Sequence, residues 1–291
     1  MPLSNAQMRD VQSVLHPYTN LMKHRESGPL ILDRGQGCRV YDEQGKDYIE
    51  AMAGLWCTAL GWGENELAET AAEQMRKLAF GHLFGGKSHE PAIALAEKLK
   101  EVAPFPVGKV FFANSGSEAN DTQIKLYWYA ANARGQTKKK KILSRIKAYH
   151  GVTLASASLT GLVNNHRSFD LPFDFARHAD CPHYYRNAEP GETEMQFSQR
   201  MAANLGALIE KEGPDTIAAM IVEPVMGAGG VIMPPDGYFD AITQVLDKHD
   251  IPLIDDEVIT GFGRTGEWFG PKQETRARGV KNESLPQPKG R

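Results

Sequence analysis

The 291-residue sequence is poor in cysteine, contains no long apolar run and has nearly balanced charge. Its three cysteines, Cys38, Cys57 and Cys181, are odd in number and widely separated. They therefore fit neither a disulfide framework nor the paired spacing of a cysteine zinc site. We expect reduced thiols in a cytoplasmic protein, and we predict no metal site.

No segment approaches the roughly 20 consecutive apolar residues that a bilayer-spanning helix needs. The N-terminus lacks the basic and apolar regions of a secretory signal. The formal net charge of -3 gives no general attraction for nucleic acid, and the four lysines at 138–141 are typical of a solvated loop. We therefore expect neither a membrane nor a nucleic-acid partner. Length and a mean hydropathy of -0.41 indicate a globular protein with a substantial core.

Residues 30–50 contain short apolar runs separated by glycines, and the segment 42–45 (DEQG) predicts a hairpin turn. A small antiparallel element near the N-terminus is expected. Apolar residues recur at helical spacing over residues 64–78 and again over 91–102. These two segments are predicted to be helices.

Beyond residue 102, short apolar runs alternate with longer segments of helical periodicity. Strands are predicted at 110–113, 142–144, 217–222 and 251–254, and helices at 117–133, 195–211 and 238–249. Apolar strands separated by helices indicate an α/β fold with a mostly parallel sheet covered on both faces. Ligands of such sheets bind at the carboxyl ends of the strands. Residues 271–291 are polar and proline-containing, so we predict a disordered tail.

The segment NSGSEAND, residues 114–121, directly follows the first of these predicted strands. Gly116 permits a tight turn, Ser117 offers a hydroxyl group, and the first turn of a helix presents free amides. This pattern is typical of a site for an anion such as a phosphate monoester. An ordinary serine N-cap with Glu118 in the first turn explains the same residues equally well.

Three consecutive acidic residues, Asp255, Asp256 and Glu257, follow the run 251–254. Carboxylates at the end of a buried strand are costly unless a cation meets them. A metal ion is one candidate, and a protonated heterocyclic nitrogen is another. A helix cap with solvent-facing acids remains the simplest alternative.

Five segments lie in one order along the chain: RVYDEQGKDYIEAMAGLW (39–56), NSGSEAND (114–121), AYHG (148–151), VEPVMGAGGVIMPP (222–235) and IPLIDDEVITGFGRTGEWFG (251–270). Together they resemble the class III pyridoxal-phosphate-dependent aminotransferases, and WCTALGW and GEWFG are most similar to the omega-amino-acid:pyruvate branch. The resemblance implies a fold-type I transferase that uses pyridoxal 5'-phosphate and works as a homodimer. It also implies a small-domain segment at 1–57, an incomplete cofactor-binding domain at 58–270 and a tail outside the family at 271–291.

The resemblance assigns roles to individual residues. Asp256 is expected to pair with the pyridine nitrogen of the cofactor and keep it protonated. Gly116 and Ser117 match the phosphate-binding residues. Tyr149 is expected to stack on one face of the ring and Val258 to pack on the other, although Tyr149 could also be a core aromatic residue.

Three further residues receive roles with open alternatives. Glu223 matches a carboxylate near cofactor and substrate, or it only ends a strand. Trp56 and Phe84 are candidate walls of the substrate pocket, with Phe84 reaching across a dimer interface, or they are core residues.

The family's Schiff-base lysine follows the aspartate by about thirty residues, on an apolar strand. Lys281 and Lys289 lie in polar sequence, so we expect a C-terminally truncated chain without a catalytic lysine. The expected function is transfer of an amino group from an amine or omega-amino acid to a 2-oxo acid such as pyruvate. We expect this form of the chain to be inactive. A non-catalytic fragment of the same fold, binding a phosphate-bearing ligand or partner chains, is the alternative. A decarboxylase or aminomutase would share the cofactor residues.

Overall fold

The computed structural model describes residues 2–270, and the chain divides into two compact units, Met1–His89 and Glu90–Arg291. The predicted division after residue 57 stays a prediction. The predicted tail at 271–291 lies outside the described residues. Among the residues that are described, no helix has the length and apolar character needed to cross a membrane.

The first unit combines helices with a small antiparallel sheet. Its elements are α1 (Asn5–Ser13), α2 (Leu21–Ser27), β1 (Leu32–Gln36), β2 (Arg39–Asp42), β3 (Asp47–Ile49), α3 (Ala53–Trp56) and α4 (Asn65–Lys77). The strands lie in the order β1-β2-β3. The predicted hairpin turn is confirmed, because the Gly45 amide donates to the Asp42 carbonyl at 2.9 Å between two paired strands. Helix α4 also forms where the periodicity predicts it.

The second unit is a parallel sheet with helices. Its elements are α5 (Glu90–Val102), α6 (Gly116–Ala133), β4 (Lys141–Arg145), α7 (Leu154–Leu159), β5 (Ala176–Ala179), α8 (Tyr184–Asn187), α9 (Glu194–Glu212), β6 (Ile217–Val222), α10 (Tyr238–Lys248) and β7 (Leu253–Asp255). All pairs in the sheet are parallel and the order is β5-β4-β6-β7. The carboxyl ends of these strands therefore share one edge.

The sheet of the second unit is covered on both faces. Leu143, Met220 and Val222 point to one face, where they pack with apolar residues of α9 and α10. Ile142 and Ile221 lie on the opposite face with residues of α6 and α7. Because side chains alternate along a strand, each strand contributes side chains to the core on both faces of the sheet. The predicted parallel sheet with helices on both faces is confirmed.

The strands of the second unit differ from the sequence prediction at two places. The segment 110–113 forms no strand, because none of the four described strands of this sheet pairs with it, and Phe111 is 71% exposed. An apolar run needs a hydrogen-bonding neighbour to become a strand, whatever its propensity. Strand β5 was not predicted, since its sequence (ARHA) mixes polar and small residues and it occupies one edge of the sheet.

Candidate active site

The sequence-predicted residues of the second unit gather at the carboxyl edge of its sheet. Tyr149 lies in the loop after β4, Glu223 directly follows β6, and Asp256 directly follows β7. Gly116 and Ser117 are the first two residues of α6. Hydrogen bonds and packing contacts link these residues and their neighbours into one cluster.

Asp256 is the charged centre of this cluster. Its side chain is 5% exposed, and its Oδ2 atom accepts hydrogen bonds from Nδ1 of His150 at 2.8 Å and Nδ2 of Asn120 at 2.9 Å. Among residues 2–270, Oδ1 accepts only a long bond of 3.3 Å from the Val258 amide. Burial by itself raises the pKa of Asp256, but the hydrogen bonds and charge of His150, with Asn120, outweigh it and hold the pKa below its ordinary value. The carboxylate is therefore ionised, and Oδ1 retains capacity to meet a cation.

Several hydrogen bonds hold His150 in place. Its amide donates to Oγ1 of Thr160 at 2.9 Å, and its carbonyl accepts from Nδ2 of Asn120 at 2.8 Å. Its Nε2 atom is buried and has no hydrogen-bond partner among the described residues. The sequence assigned a role in the site to neither His150 nor Asn120, although both lie inside quoted motifs. Their positions in AYHG and NSGSEAND were the available signal.

The start of helix α6 has the features of an anion site. Ser115 is the N-cap, and its Oγ atom accepts from the Glu118 amide at 3.2 Å. In the described chain, no acceptor is found for the amides of Gly116 and Ser117, which precede the first intrahelical bonds. Glu118 itself accepts from the Asn114 amide at 2.8 Å. The serine cap and the anion site are therefore compatible interpretations, because the cap leaves two amides free.

Val258 and Ser117 connect this helix start to the neighbouring loops. A Cβ atom on Gly116 would lie 2.7 Å from Cγ2 of Val258, so the Val258 side chain, 66% exposed, lies directly against the first residue of α6. The hydroxyl oxygen of Ser117 accepts from the Val152 amide at 3.0 Å. The start of α6 is thus in contact with both the loop after β4 and the loop after β7.

Glu223 supports the loop that carries Tyr149. It is 4% exposed; Oε1 accepts from the Tyr149 amide at 2.9 Å and Oε2 from the Gly227 amide at 3.0 Å. Burial raises the pKa of Glu223 above its ordinary value, although these amides and nearby positive charge oppose the shift. Both carboxylate oxygens are used by the backbone. Glu223 therefore acts on the position of Tyr149, whose own side chain is half-buried.

Arg145 is a buried charge that the sequence reasoning missed. It is 1% exposed, and one terminal nitrogen donates to the carbonyl oxygen of Glu223 at 2.6 Å. The guanidinium carbon lies 5.9 Å from the centre of the Tyr238 ring. Arg145 ends β4 (KILSR), and a charged residue at the end of a strand with an apolar centre was the available sequence signal.

Trp56 and Phe84 belong to the first unit. Trp56 is half-buried at the end of α3. Phe84 is 85% exposed, which does not fit a core residue of its own unit. Their roles as pocket walls stay predictions. Lys281 and Lys289 lie outside the described residues.

Known proteins similar to this chain share both its sequence and its fold. The family model for class-III aminotransferases matches residues 21–280. The mitochondrial gamma aminobutyrate transaminase 1 of Solanum lycopersicum is 54% identical over 258 residues, which are 88% of this chain and 50% of the relative. The chain thus spans about half the length of the curated relatives it matches.

Among solved structures, a thermostable four-fold mutant of the omega transaminase from Pseudomonas jessenii superposes with a TM-score of 0.91 at 58% identity. The match covers 92% of this chain and 59% of that one. The omega transaminase of the same organism in complex with PMP gives a TM-score of 0.90 at 57% identity, covering 92% and 59%. These matches confirm the expected fold-type I architecture.

The expectation of a cytoplasmic protein is wrong. The relative from Solanum lycopersicum is named as mitochondrial, and so are relatives from Oryza sativa at 53% identity. Cysteine content reports only on redox conditions and does not distinguish the cytoplasm from other reducing compartments. The family model covers most of the chain, and the solved transaminases share its fold at more than half identity. The chain therefore belongs to the class-III aminotransferase family.

Proposed function

We propose that the complete protein transfers an amino group from an amine or omega-amino acid to a 2-oxo acid such as pyruvate, with pyridoxal 5'-phosphate as cofactor. Pyridoxal phosphate is the cofactor of this family. One observation carries the proposal: an ionised, buried Asp256 lies in the same cluster as the free amides of Gly116 and Ser117. The cluster therefore offers an acceptor for a cationic group and donors for an anionic one.

The residues present fit this cofactor. Gly116 and Ser117 would hold the phosphate, because helix-start amides and the helix dipole favour an anion. Asp256 would hold the ring nitrogen through Oδ1, which has the weakest protein partner of its two oxygens. Tyr149 and Val258 would bound the two faces of the ring. When bound, the cofactor supplies an electron sink for the substrate's reacting carbon.

The protein groups have separate tasks in this proposal. Asp256 keeps a proton on the ring nitrogen by remaining ionised, and His150 with Asn120 maintains that charge. Glu223 accepts from the Tyr149 amide and so fixes the backbone that carries the Tyr149 ring. We further propose that Trp56 and Phe84 line the substrate pocket, with Phe84 crossing a homodimer interface. The names of the relatives support a location in an organelle.

For the 291-residue chain by itself, we propose cofactor binding without turnover. The family's Schiff-base lysine follows the aspartate by about thirty residues, and the lysines near that position, Lys281 and Lys289, lie in polar sequence. The alternative, a non-catalytic fragment that binds a phosphate-bearing ligand or partner chains, is favoured by the same free amides at the start of α6.

Calorimetric titration of the purified chain with pyridoxal phosphate, and with pyridoxal as the matched ligand without phosphate, tests the proposal. Tighter binding of pyridoxal phosphate is expected, and the difference should shrink in a Ser117→Ala variant, which keeps both amides but loses the hydroxyl donor beside them. Equal affinity for both ligands would contradict the phosphate assignment. An assay with alanine as amino donor then separates the two functions: pyruvate formation would refute inactivity of this chain, and binding without pyruvate supports it.

A further inference from the structure

Two histidines and an aspartate converge in the N-terminal unit. Asp10 lies in α1, His16 in the loop after it, and His24 in α2. Nε2 of His16 lies 2.8 Å from Oδ1 of Asp10, and Nε2 of His24 lies 3.1 Å from the same oxygen. One ligand atom from each residue falls within 4.8 Å of the other two. The two imidazole rings are 4.4 Å apart between centroids.

The local fold holds these three side chains in place. A capping box between Ser4 and Gln7 fixes the start of α1, and Nε2 of Gln7 donates to the Pro29 carbonyl at 2.9 Å. That bond ties α1 to the chain just after α2. The side chain of Asn20 accepts from the first amides of α2. Since His24 is only 8% exposed, one ligand is already removed from water.

We propose that Asp10, His16 and His24 bind one Zn²⁺ ion. Imidazole nitrogen and carboxylate oxygen are ligands that Zn²⁺ prefers, and three protein ligands with a water molecule complete a tetrahedral shell. Bond lengths of about 2.1 Å put tetrahedral ligands roughly 3.4 Å apart. The observed 2.8 and 3.1 Å therefore need to open by only tenths of an ångström. The two N–H protons that now converge on one oxygen would be replaced by the ion.

The ligand set also selects among cations. Mg²⁺ and Ca²⁺ prefer shells of oxygen, which two imidazoles do not provide. The ion would join α1 to α2 across 14 residues of sequence, from Asp10 to His24. Its expected effect is structural: it stabilises the N-terminal helices, because a ligand that binds the folded state shifts unfolding by mass action.

The test uses the full chain after removal of metals with a chelator. Calorimetric titration with zinc sulfate should give one site per chain, and titration with Co²⁺ should give the visible absorption of a four-coordinate ion with nitrogen and oxygen ligands. His16→Gln and Asp10→Asn should each weaken Zn²⁺ binding by about tenfold or more. His82→Gln is the matched control, because His82 is an exposed histidine of the same unit outside the cluster. It should bind Zn²⁺ as the parent protein does.

Any of four outcomes would contradict the proposed site. The chain could fail to bind Zn²⁺ stoichiometrically, or Mg²⁺ at equal concentration could compete with Zn²⁺. The Zn²⁺ affinity could be unchanged in His16→Gln, or it could fall equally in His82→Gln. His16 is 30% exposed, so its substitution should leave the helices intact, and far-ultraviolet circular dichroism checks this. If a variant unfolds, the Co²⁺ spectrum of the parent chain decides, since a six-coordinate spectrum contradicts the proposed shell.

Discussion

Nδ1 of His150 lies 2.8 Å from Oδ2 of Asp256, and the two side chains are 0% and 5% exposed. The histidine comes from the loop after β4 and the aspartate from the end of β7. A carboxylate removed from water at this depth needs a partner to stay ionised. His150 is therefore the residue on which the charge of the proposed cofactor site depends most directly.

Replacement of His150 by phenylalanine tests this dependence through stability. The His150→Phe variant leaves Asp256 buried with Asn120 as its main partner, so the free energy of unfolding near neutral pH should fall by about 3 kcal/mol. The pKa of Asp256 is lowered in the folded protein, so its stabilising contribution is present above the unfolded pKa of about 3.9 and is lost as pH falls through the folded pKa. Urea denaturation at several pH values measures both effects.

His183→Phe serves as the control for that experiment. His183 is half-buried, and within the described part of the chain its ring approaches only that of Tyr185, at 6.4 Å between centroids, so the change should stay within about 0.5 kcal/mol. A His150→Phe variant as stable as the parent at neutral pH, or a difference that grows towards acid pH, would contradict the proposed coupling.

Cofactor affinity tests Asp256 directly. The Asp256→Asn variant keeps the shape of the side chain but loses its charge, so pyridoxal phosphate should bind about 10–100-fold more weakly. Asp255→Asn makes the same change at an exposed neighbouring residue and should leave the affinity unchanged. Calorimetric titration of both variants measures the difference, and an equal loss in the two would remove Asp256 from its proposed role.

Most of the second unit could be predicted because the residue pattern of each element is typical of a buried strand or of a helix. Strand β6 is apolar throughout and buried at every residue, and α9 and α10 show helical periodicity over their length. The segment 110–113 has the same apolar character as β6, yet it forms no strand. Whether a neighbour is available to pair with an apolar run is decided by the tertiary fold and not by the run itself.

Some residues of the candidate site could likewise be predicted from the sequence, and others could not. Asp256 could be singled out because consecutive acids at the end of a buried strand are costly without a cationic partner, whereas Glu223 was named from its match to the family. His150 and Asn120 could not be assigned to Asp256, since they lie 106 and 136 residues away along the chain. The sequence contains both residues in recognisable motifs, but only the packing of α6 and the β4 loop against β7 brings them together.

Glu223 should show the opposite pH dependence from Asp256. Its pKa is raised in the folded protein, chiefly by burial, so its contribution to stability is full below the unfolded pKa of about 4.3 and is lost as pH rises through the folded pKa. The Glu223→Gln variant cannot ionise, although it loses one of two backbone contacts. Its stability relative to the parent should therefore improve from acid to neutral pH. Parallel urea titrations measure this trend, and a relative stability that declines with pH would contradict it.

Helix α9 offers a test of backbone conformation that is independent of the site. Gly206 lies inside this 19-residue helix, and a Cβ atom there would meet only Cγ1 of Val245 at 3.7 Å, an ordinary contact. Gly206→Ala should therefore raise the free energy of unfolding by about 0.5–1 kcal/mol, because alanine favours the helix and restricts the unfolded chain. Gly213 caps the same helix at a φ of 87°, so Gly213→Ala should destabilise the protein by about 1 kcal/mol. Thermal and urea unfolding of the two variants should change in opposite directions, and a shift of the same sign in both would contradict the backbone conformation of α9.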